Sequence, residues 1–237
     1  GRCDEMSKWT EELGCSVGGG GKGGTNGLSI GQDVRAQSLE EAYTLGQKKG
    51  SVVLGGMLWL KMQRRSVGTA IDLSDLGLDQ IEEDGDFYRL GAMVTLRTLE
   101  LHPGLNELTQ GALRESVRHI VGVQFRNGAT LGGSLWRRMG FSDIVTAFLA
   151  MDSYVELHEG GIVPLERFVN MPYDKDILVR LIVKKRPGAF AYQAVRKQRT
   201  DLPTLNCMAA KLGGEYRVTV GARPGRAVLL RDDQGIL

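Results

Sequence analysis

Short apolar runs, separated by glycine and charged residues, recur along the chain from residue 37 onward. The stretch "SLEEAYTLGQKKG" at 38–50 predicts a helix, because Ser38 can cap its start, Glu41 follows three residues later and Gly50 can end it. Runs rich in Val, Ile and Leu predict β-strands, with an Asp-Gly turn in "EEDGD". The strands predicted in this part of the chain are 51–54, 69–76, 87–94 and 154–157.

Helical periodicity is present in three further stretches. "TLRTLELHPGL" predicts a short helix that stops before Pro103, since the residue before proline disfavours helical geometry. Apolar residues at helical spacing predict a second helix within 106–122. Either Ser142 or Asp143 can cap a third helix, which runs to about Met151.

The last third of the chain has a different pattern, and "YDKD" at 173–176 marks its start. Beyond this boundary, "LPTLNCMAAKLGG" at 202–214 predicts one helix that ends at its Gly-Gly pair. Cys207 would lie on the apolar face of that helix and be buried. With the strands around it, the helix predicts a small α+β domain. These strands are predicted at 176–185, 190–197, 215–222 and 227–231.

Residues 1–36 stand apart because they contain the glycine-rich run "GCSVGGGGKGGTNG". Such a run is typical of a flexible linker. A phosphate-binding loop is the alternative for "GGGGKGGT", but the full GxxxxGK[ST] pattern and a clear following helix are missing, so a linker is favoured. We therefore divide the chain into a tail or linker at 1–36, a domain at 37–172 and a C-terminal α+β domain at 173–237.

Composition narrows the classes of function. The 237 residues include 42% hydrophobic and 24% charged residues and carry a net charge of +2, which gives no reason to expect nucleic acid as a partner. No apolar run is long enough for membrane insertion. The three cysteines lack CxxC spacing and the histidines lie on separate predicted elements, so no metal site is expected in this chain. The absence of a disulfide framework predicts a reducing, cytoplasmic location.

Two stretches are alike: "LGGMLW" at 54–59 and "LGGSLW" at 131–136, the second preceded by a predicted Asn-Gly turn at 127–128. A Gly-Gly pair after a strand lets the backbone approach another group closely. Successive N–H groups in such a turn can also form an anion-binding concavity. Neither stretch is a GxGxxG, so a Rossmann fingerprint is not indicated. From spacing alone, ligand-binding loops and plain turns are equally open, and the two tryptophans favour core packing over stacking on a ligand.

From about Ser38 to Ala227 the chain resembles the FAD-binding medium subunit of the molybdenum hydroxylases, the family of xanthine dehydrogenase and carbon monoxide dehydrogenase. The resemblance is carried by a series of segments in the order of the family. They are "SLEEAYTLGQ", "VVLGGMLWLKM", "AIDLSDLGLDQI", "LGAMVTLRTLE", "GALRESVRHIVGVQFRNGATLGGSLW", "FSDIVTAFLAMDSYVEL", "VPLERF" and "AYQAVRKQRTDLPTLNCMAAKL". The most specific of them is "RNGATLGGSLW" with the Ser-Asp pair downstream.

The resemblance implies an α+β protein with a vanillyl-alcohol-oxidase (PCMH)-type fold. In that fold two α/β subdomains hold FAD, and a C-terminal α+β domain like that of the carbon monoxide dehydrogenase flavoprotein follows. It also implies two partners, a [2Fe-2S] small subunit and a molybdopterin-binding large subunit. FAD would receive electrons from the iron–sulfur partner and pass them to an external acceptor. The flavin supplies the redox chemistry, so no general acid or base is expected in this chain.

The resemblance implies which residues hold FAD. Both glycine stretches would donate backbone N–H groups to its pyrophosphate and ribityl region, and Asp143 would hydrogen-bond the cofactor through its carboxylate. The cofactor-binding residues implied are Leu54, Gly55, Gly56, Met57, Leu58, Ala129, Thr130, Gly132, Gly133, Ser134, Ser142, Asp143 and Gln193.

The first glycine stretch departs from the family pattern most. The family has Thr-Asp after its Gly-Gly, where this chain has Met57-Leu58. A backbone contact with phosphate survives this change, whereas a side-chain contact does not. In the second stretch Ser134 replaces an asparagine, which is a milder change. These departures leave a flavin-free scaffold subunit of the same complex, or a stand-alone flavin oxidoreductase, as alternative functions.

Further departures lie in the C-terminal part. The family often has Tyr-Lys where this chain has Tyr192-Gln193, which removes a positive charge beside the flavin. Arg137 and Arg138 are expected to compensate, because guanidinium groups bind phosphate in a bidentate manner. Asp201 and Arg199 match a family Arg/Asp pattern that is either functional or structural. The C-terminal domain is expected to be truncated relative to the family.

Overall fold

The computed structural model describes residues 27–223 and 225–232. The predicted tail or linker lies outside this range up to residue 26. The predicted tail extends too far, because Ser29–Arg35 form strand β1 of a sheet. Residues of this strand pair in parallel with a later strand, from Ser29 opposite Ser66 to Arg35 opposite Asp72. This segment is therefore part of the fold and not a linker.

The first sheet has three parallel strands in the order β1-β3-β2, with β2 at Ser51–Val53 and β3 at Ser66–Asp72. Helix α1, Leu39–Gly46, connects β1 and β2, and its start is capped as predicted: the Ser38 hydroxyl accepts from the Glu41 N–H. The Glu41 carboxylate accepts in turn from the Gln37 N–H at 2.7 Å. These reciprocal bonds satisfy donors that the first helical turn leaves unpaired.

The second sheet has five antiparallel strands in the order β4-β5-β8-β6-β7. Its central strand, β8, starts at Leu178, beyond the predicted boundary at residue 173. The division at 173 is therefore wrong in the structure, since this sheet cannot be completed without residues from both sides of it. The strands are β4 Ile81–Asp84, β5 Phe87–Gly91, β6 Ser153–Leu157, β7 Gly161–Pro164 and β8 Leu178–Lys184.

Short helices cover the second sheet and share its largest hydrophobic core, which includes Leu90, Phe148 and Leu181. The helix predicted to stop before Pro103 does so. The helix predicted within 106–122 is wrong in part, because Gly111, with φ +82°, divides it into two. The helices are α2 Leu96–Leu101, α3 Pro103–Leu108, α4 Ala112–Arg118, α5 Val123–Gly128, α6 Leu131–Trp136, α7 Asp143–Ala150 and α8 Leu165–Phe168.

Two predictions between residues 123 and 136 are also wrong. The Asn-Gly pair at 127–128 lies at the end of α5 and does not form a hairpin turn. The second glycine stretch is itself a helix, α6, and not a turn after a strand. Thr130 caps this helix by accepting from the Gly133 N–H at 3.2 Å. A capping threonine overrides the weak helix propensity of two glycines.

The third sheet has four antiparallel strands in the order β12-β11-β10-β9. The helix predicted at 202–214 is wrong, since this segment forms β10. Its buried side chains alternate, at Asn206, Met208, Ala210 and Leu212, and it pairs on both sides, so sheet formation overrides the helical propensity of Met, Ala and Lys. The partly buried Cys207 is consequently on a strand. The strands are β9 Gly188–Val195, β10 Leu205–Leu212, β11 Glu215–Gly221 and β12 Val228–Asp232.

Candidate functional site

The two glycine stretches meet in space. A Cβ atom on Gly55 would lie 3.3 Å from the Gly133 Cα and 2.9 Å from the Thr130 hydroxyl oxygen. One on Gly56 would lie 1.9 Å from the carbonyl oxygen of Gly128, just before the second stretch. The distances of 1.9 and 2.9 Å are shorter than real Cβ contacts, so only glycine permits this packing. The sequence predicted that each glycine pair lets the backbone approach another group closely. Part of that group is the other glycine stretch and the residues just before it.

The second stretch also contacts the segment that directly follows β5 of the second sheet. The Gly132 N–H donates to the Ala92 carbonyl at 2.7 Å, and a Cβ on Gly132 would lie 2.8 Å from that same oxygen. Leu131 N–H donates to the Val94 carbonyl at 2.8 Å. These contacts hold the start of α6 against the segment that follows β5, with no room for a larger residue at Gly132.

The loop after β2 has free hydrogen-bond donors. Leu54 N–H donates to the Ile71 carbonyl at 2.8 Å and ends the strand pairing. Within the described residues, no protein acceptor binds the N–H groups of 55–58 or of Thr130. Met57 has a left-handed φ of 62°, and turns that contain a left-handed residue are a common setting for anion-binding N–H groups.

A cavity of about 470 Å³ lies beside these donors. It collects residues from the first sheet, from α6 and α7, and from the segments that precede β8 and β10. Of the thirteen residues predicted to hold the cofactor, twelve line it. These are Leu54, Gly55, Gly56, Met57, Leu58, Ala129, Thr130, Gly132, Gly133, Ser134, Ser142 and Asp143.

Gln193 does not line this cavity. It lies on β9 directly after the buried Tyr192, and side chains alternate between the two faces of a strand. Gln193 is therefore exposed on the opposite face. This alternation separates Gln193 from the other twelve predicted residues, which line the cavity.

Ser142 and Asp143 are at the start of α7, as predicted. The Ser142 hydroxyl caps the helix by accepting from the Val145 N–H at 3.2 Å. Asp143 is buried at 5% exposure. Its Oδ1 accepts from the Tyr192 hydroxyl, from Arg196 Nη2 at 2.7 Å and from Asn206 Nδ2 at 3.3 Å. The carboxylate thus joins α7 to β9 and to the strand next to it.

The partners of Asp143 are all hydrogen-bond donors to its Oδ1 atom. Burial, together with the neighbouring Asp143 carboxylate, raises the pKa of Tyr192, so the phenol stays protonated and donates. Arg196 also donates to the Asp201 carbonyl at 2.6 Å. Arg196 and Asn206 were missed from sequence, since they lie 53 and 63 residues beyond Asp143. No local spacing relates them to it.

The two arginines after α6 have different environments. Arg137 lines the cavity. Arg138 is buried, with its guanidinium carbon 4.0 Å from the centroid of the Phe168 ring, and it donates to the Met171 carbonyl at 2.7 Å. The expectation that both arginines meet phosphate is therefore wrong for Arg138, because aromatic rings and carbonyls already occupy its guanidinium.

Other residues singled out in the sequence have structural contacts. Both tryptophans of the glycine stretches line the cavity. Trp136 also packs beside Phe168 at a centroid distance of 6.0 Å, as expected for a core residue, whereas Trp59 is 47% exposed. Asp201 accepts from the Gln198 N–H at 3.2 Å within the loop before β10. Arg199 donates to His119 Nδ1 at 3.4 Å.

The exposed side chains that line the cavity are partly charged, as at Arg137 and Lys175, and partly apolar. Trp59, Val121, Met139 and Leu202 line the cavity and are each between 38% and 50% exposed. These four side chains come from four separate segments of the chain. We refer to them as the apolar rim. Exposed apolar side chains grouped around a cavity mark an interaction site more often than scattered ones do.

Comparisons with known proteins agree with this geometry. Residues 30–185 match the family described as "FAD binding domain in molybdopterin dehydrogenase". The nicotine 6-hydroxylase medium subunit of Paenarthrobacter nicotinovorans is 27% identical over 221 residues, which cover 84% of this chain and 77% of that protein. The uncharacterized protein YgfM of Escherichia coli strain K12 is 25% identical over 208 residues, with coverage of 86% and 78%.

Solved structures share the fold. A chain of carbon monoxide dehydrogenase from Hydrogenophaga pseudoflava superposes with a TM-score of 0.75 at 23% identity, covering 84% of this chain and 76% of that one. A chain of quinoline 2-oxidoreductase from Pseudomonas putida 86 gives 0.73 at 18% identity, with coverage of 85% and 76%. No helix in the described part of the chain is long and apolar enough to cross a membrane.

The family match covers about two thirds of the chain and includes both glycine stretches, Ser142 and Asp143. The fold, the cavity and this match confirm the family that the sequence segments indicated. The chain belongs to the family of FAD-binding domains in molybdopterin dehydrogenases, the oxidoreductases of the molybdenum hydroxylase type.

Proposed function

We propose that the 470 Å³ cavity holds FAD and that the chain is the electron-transfer flavin subunit of a molybdenum hydroxylase-like complex. In this proposal FAD receives electrons from a [2Fe-2S] small subunit and passes them to an external acceptor. The molybdopterin-binding large subunit carries the substrate. The observation that carries the proposal is the set of unpaired backbone N–H groups at 55–58 and Thr130, which face no protein acceptor among the described residues.

The residues present fit the cofactor. A dinucleotide has an anionic pyrophosphate, and backbone N–H groups beside a left-handed residue suit such an anion. Met57 and Leu58 do not remove these donors, since the donors belong to the backbone. Leu58 packs against the main hydrophobic core, and a Cβ on Gly128 would lie 3.6 Å from its side chain. The family's polar pair is thus replaced without blocking the backbone contact.

The flavin supplies the redox chemistry when bound, and the protein binds and orients it. Loop 55–58 and Thr130 would bind phosphate. The Asp143 carboxylate, which lies at the start of α7 and is oriented by Tyr192 and Arg196, would accept a hydrogen bond from the cofactor. The apolar side chains of the cavity would exclude water from the ring system.

The apolar rim supports the proposed contact with a partner. Trp59, Val121, Met139 and Leu202 are exposed apolar side chains of the cavity in which the cofactor would lie. Electrons pass between proteins only when their redox centres come close. The partner that exchanges electrons with FAD therefore has to bind beside the cavity. An apolar surface of this kind is suited to burial in a protein interface.

Isolation of the protein tests the binding proposal. We expect a yellow protein whose visible absorbance corresponds to about one released FAD per chain. If the isolated protein is colourless, added FAD should restore the absorbance. A colourless protein that also fails to take up FAD would contradict the proposal and support the flavin-free scaffold.

Reduction experiments test the electron route. We expect the chain to co-purify with an iron–sulfur subunit and a molybdopterin subunit, and the reduced iron–sulfur subunit to bleach its flavin absorbance. A stand-alone flavin oxidoreductase would instead be reduced by a pyridine nucleotide in the absence of any partner. That result would leave FAD binding intact and overturn the electron route.

A further inference from the structure

The turn between α4 and α5 has an unusual backbone conformation at the cavity. Val121 has a φ of 50°, in the left-handed region, where a β-branched residue is a true outlier. It lines the cavity beside Ile120 and is 45% exposed. Its own packing therefore does not impose the conformation. Strain of this kind persists only where the surroundings hold it, and it concentrates at functional sites.

A buried arginine holds this turn. Arg126 Nη1 donates to the carbonyl oxygen of Ile120 at 3.1 Å, directly before the strained residue. Its Nε donates to Glu100 Oε2 at 2.8 Å. Arg126 is 5% and Glu100 4% exposed. The guanidinium can leave the Ile120 carbonyl only by moving away from its buried counter-ion, which is costly.

The rest of the network fixes Glu100. Arg97 Nη1 lies 2.9 Å from the same Oε2 atom, so this oxygen accepts from two guanidinium groups. Asn106 Nδ2 donates to the Glu100 carbonyl at 2.9 Å. The Arg97 side chain is 33% exposed, and among the described residues it makes no hydrogen bond or ion pair with the turn. Among the described residues, Arg126 is the one side chain that hydrogen-bonds both the Glu100 carboxylate and the turn.

A second buried arginine shows what a purely structural role looks like. Arg217, 6% exposed, donates to the carbonyls of Leu149, Ala150 and Met151 at 3.1, 2.8 and 3.1 Å. These carbonyls end α7, so Arg217 caps that helix. It does not line the cavity. Arg126 differs because its acceptor belongs to the turn that carries Val121.

We propose that Arg126 is a positioning residue for the cofactor: through the Ile120 carbonyl it holds the strained Val121 at the cavity wall, where the valine side chain packs against bound FAD. The inference rests on the proposed function, since it takes the cavity to be the FAD site. Neither Arg126 nor Val121 contributes a polar contact to FAD. Their effect is on the shape of the wall.

A double-mutant cycle in FAD affinity tests this coupling. The variants are Arg126→Lys, Val121→Gly and the double variant, with Arg217→Lys and Arg97→Lys as controls. Lysine keeps the positive charge but lacks the two separate donors that reach Glu100 and the turn together. Glycine removes both the strain and the apolar side chain. For each variant, the FAD dissociation constant, the visible spectrum of bound FAD and the Tm of the FAD-free protein are measured.

We expect Arg126→Lys and Val121→Gly each to weaken FAD binding about tenfold, and the double variant to be no weaker than the worse single variant. The flavin spectrum should shift in both. Arg217→Lys should lower the Tm by a similar amount without changing the dissociation constant or the spectrum. Arg97→Lys should leave FAD affinity near that of the wild type.

Two results would overturn the inference while leaving the proposed function in place. In the first, Arg126→Lys and Val121→Gly have additive effects on FAD affinity. In the second, Arg217→Lys weakens FAD as much as Arg126→Lys for the same loss of Tm. If the wild-type protein binds no FAD at all, the proposed function and this inference both fall.

Discussion

Asp143 shows how one side chain can connect distant parts of the chain. Its Oδ1 accepts from Tyr192, Arg196 and Asn206, which lie on or beside two strands of the third sheet. The Arg196 side chain is 8% exposed, so its charge depends on this carboxylate for compensation. Asp143 thus stabilises the packing of α7 against the third sheet, besides any contact with the cofactor.

Replacement of this carboxylate should be costly. Asp143→Asn leaves the Arg196 guanidinium buried without a counter-ion, and we expect a loss of about 3 kcal/mol in the free energy of unfolding. FAD affinity should fall as well. Urea denaturation monitored by fluorescence measures the first effect. Asp201→Asn, at an exposed position, is the control, and an equal loss in both variants would contradict the prediction.

The lowered pKa of Glu100 predicts that the stability of the protein depends on pH. Burial by itself raises the pKa of this carboxyl, but hydrogen bonds from Arg126 and Arg97 outweigh it and hold the pKa below the usual value. A group with a lowered folded pKa stabilises the protein above its unfolded pKa, and this contribution is lost as pH falls through the folded value.

The difference in stability between the wild type and Glu100→Gln should therefore be largest at neutral pH and shrink as pH falls below 4.5, the ordinary pKa of the group. Chemical denaturation between neutral and acid pH measures both proteins in parallel. A difference that stays constant over this range would show that the carboxylate charge does not contribute.

At the scale of elements, the contact between loop 54–59 and the start of α6 brings together two walls of the cavity. Both segments carry a Gly-Gly pair, and their backbones meet where any Cβ would clash. One pair lies in a loop after a strand and the other in the first turn of a helix. Similar residues are thus used in two different backbone conformations.

Gly56→Ala should disrupt this contact. The new Cβ would lie 1.9 Å from the Gly128 carbonyl, and a backbone group cannot rotate away, so we expect a loss of about 3 kcal/mol or more. Gly214→Ala is the matched control, since a Cβ there meets nothing within 4 Å. Thermal unfolding and FAD titration compare the two. Tolerance of Gly56→Ala would show that the loops are farther apart.

Two helix caps, one outside the cavity and one at its wall, allow the effect of a lost cap on protein stability to be distinguished from its effect on FAD binding. Ser38 caps α1, outside the cavity, and Ser142 caps α7 at the cavity wall. Replacement of either by alanine should cost about 1 kcal/mol of stability. Only Ser142→Ala should also weaken FAD binding. Denaturation and FAD titration of both variants check this, and an equal effect on binding would place the cofactor elsewhere.

At the scale of the whole molecule, the cavity is built from parts of the chain that belong to different sheets. Val53 comes from the first sheet, Ala129 from the link between α5 and α6, Asp143 from α7, and Leu202 from the segment before β10. Arg196 and Asn206, from the third sheet, orient Asp143. A ligand in this cavity would therefore contact several elements at once.

FAD should stabilise the fold through these contacts. At one hundred times its dissociation constant it raises the free energy of unfolding by about 2.7 kcal/mol, because it binds only the folded state. Hydrogen exchange should slow at residues 55–58 and 119–122, while β11 and β12 change little. Uniform protection, or protection confined to the third sheet, would contradict the assigned cavity.

Local patterns account for much of what could be predicted. The caps at Ser38 and Ser142, the stop before Pro103 and most strands follow from neighbouring residues, as hydrogen bonds in caps and turns are made over three or four positions. The quoted segments, taken together, also indicated the family and FAD. Twelve of the thirteen predicted site residues line one cavity.

Long-range contacts decided the rest. Segment 205–212 has helical propensity, yet pairing with β9 and β11 makes it a strand, and strand alternation turns Gln193 away from the cavity. The sequence by itself determined the short-range elements, the family and the glycine positions. Only the tertiary structure decided that the two glycine pairs touch, that Asp143 binds Arg196 and that Arg126 holds Val121, because these contacts join residues whose separation along the chain carries no local signal.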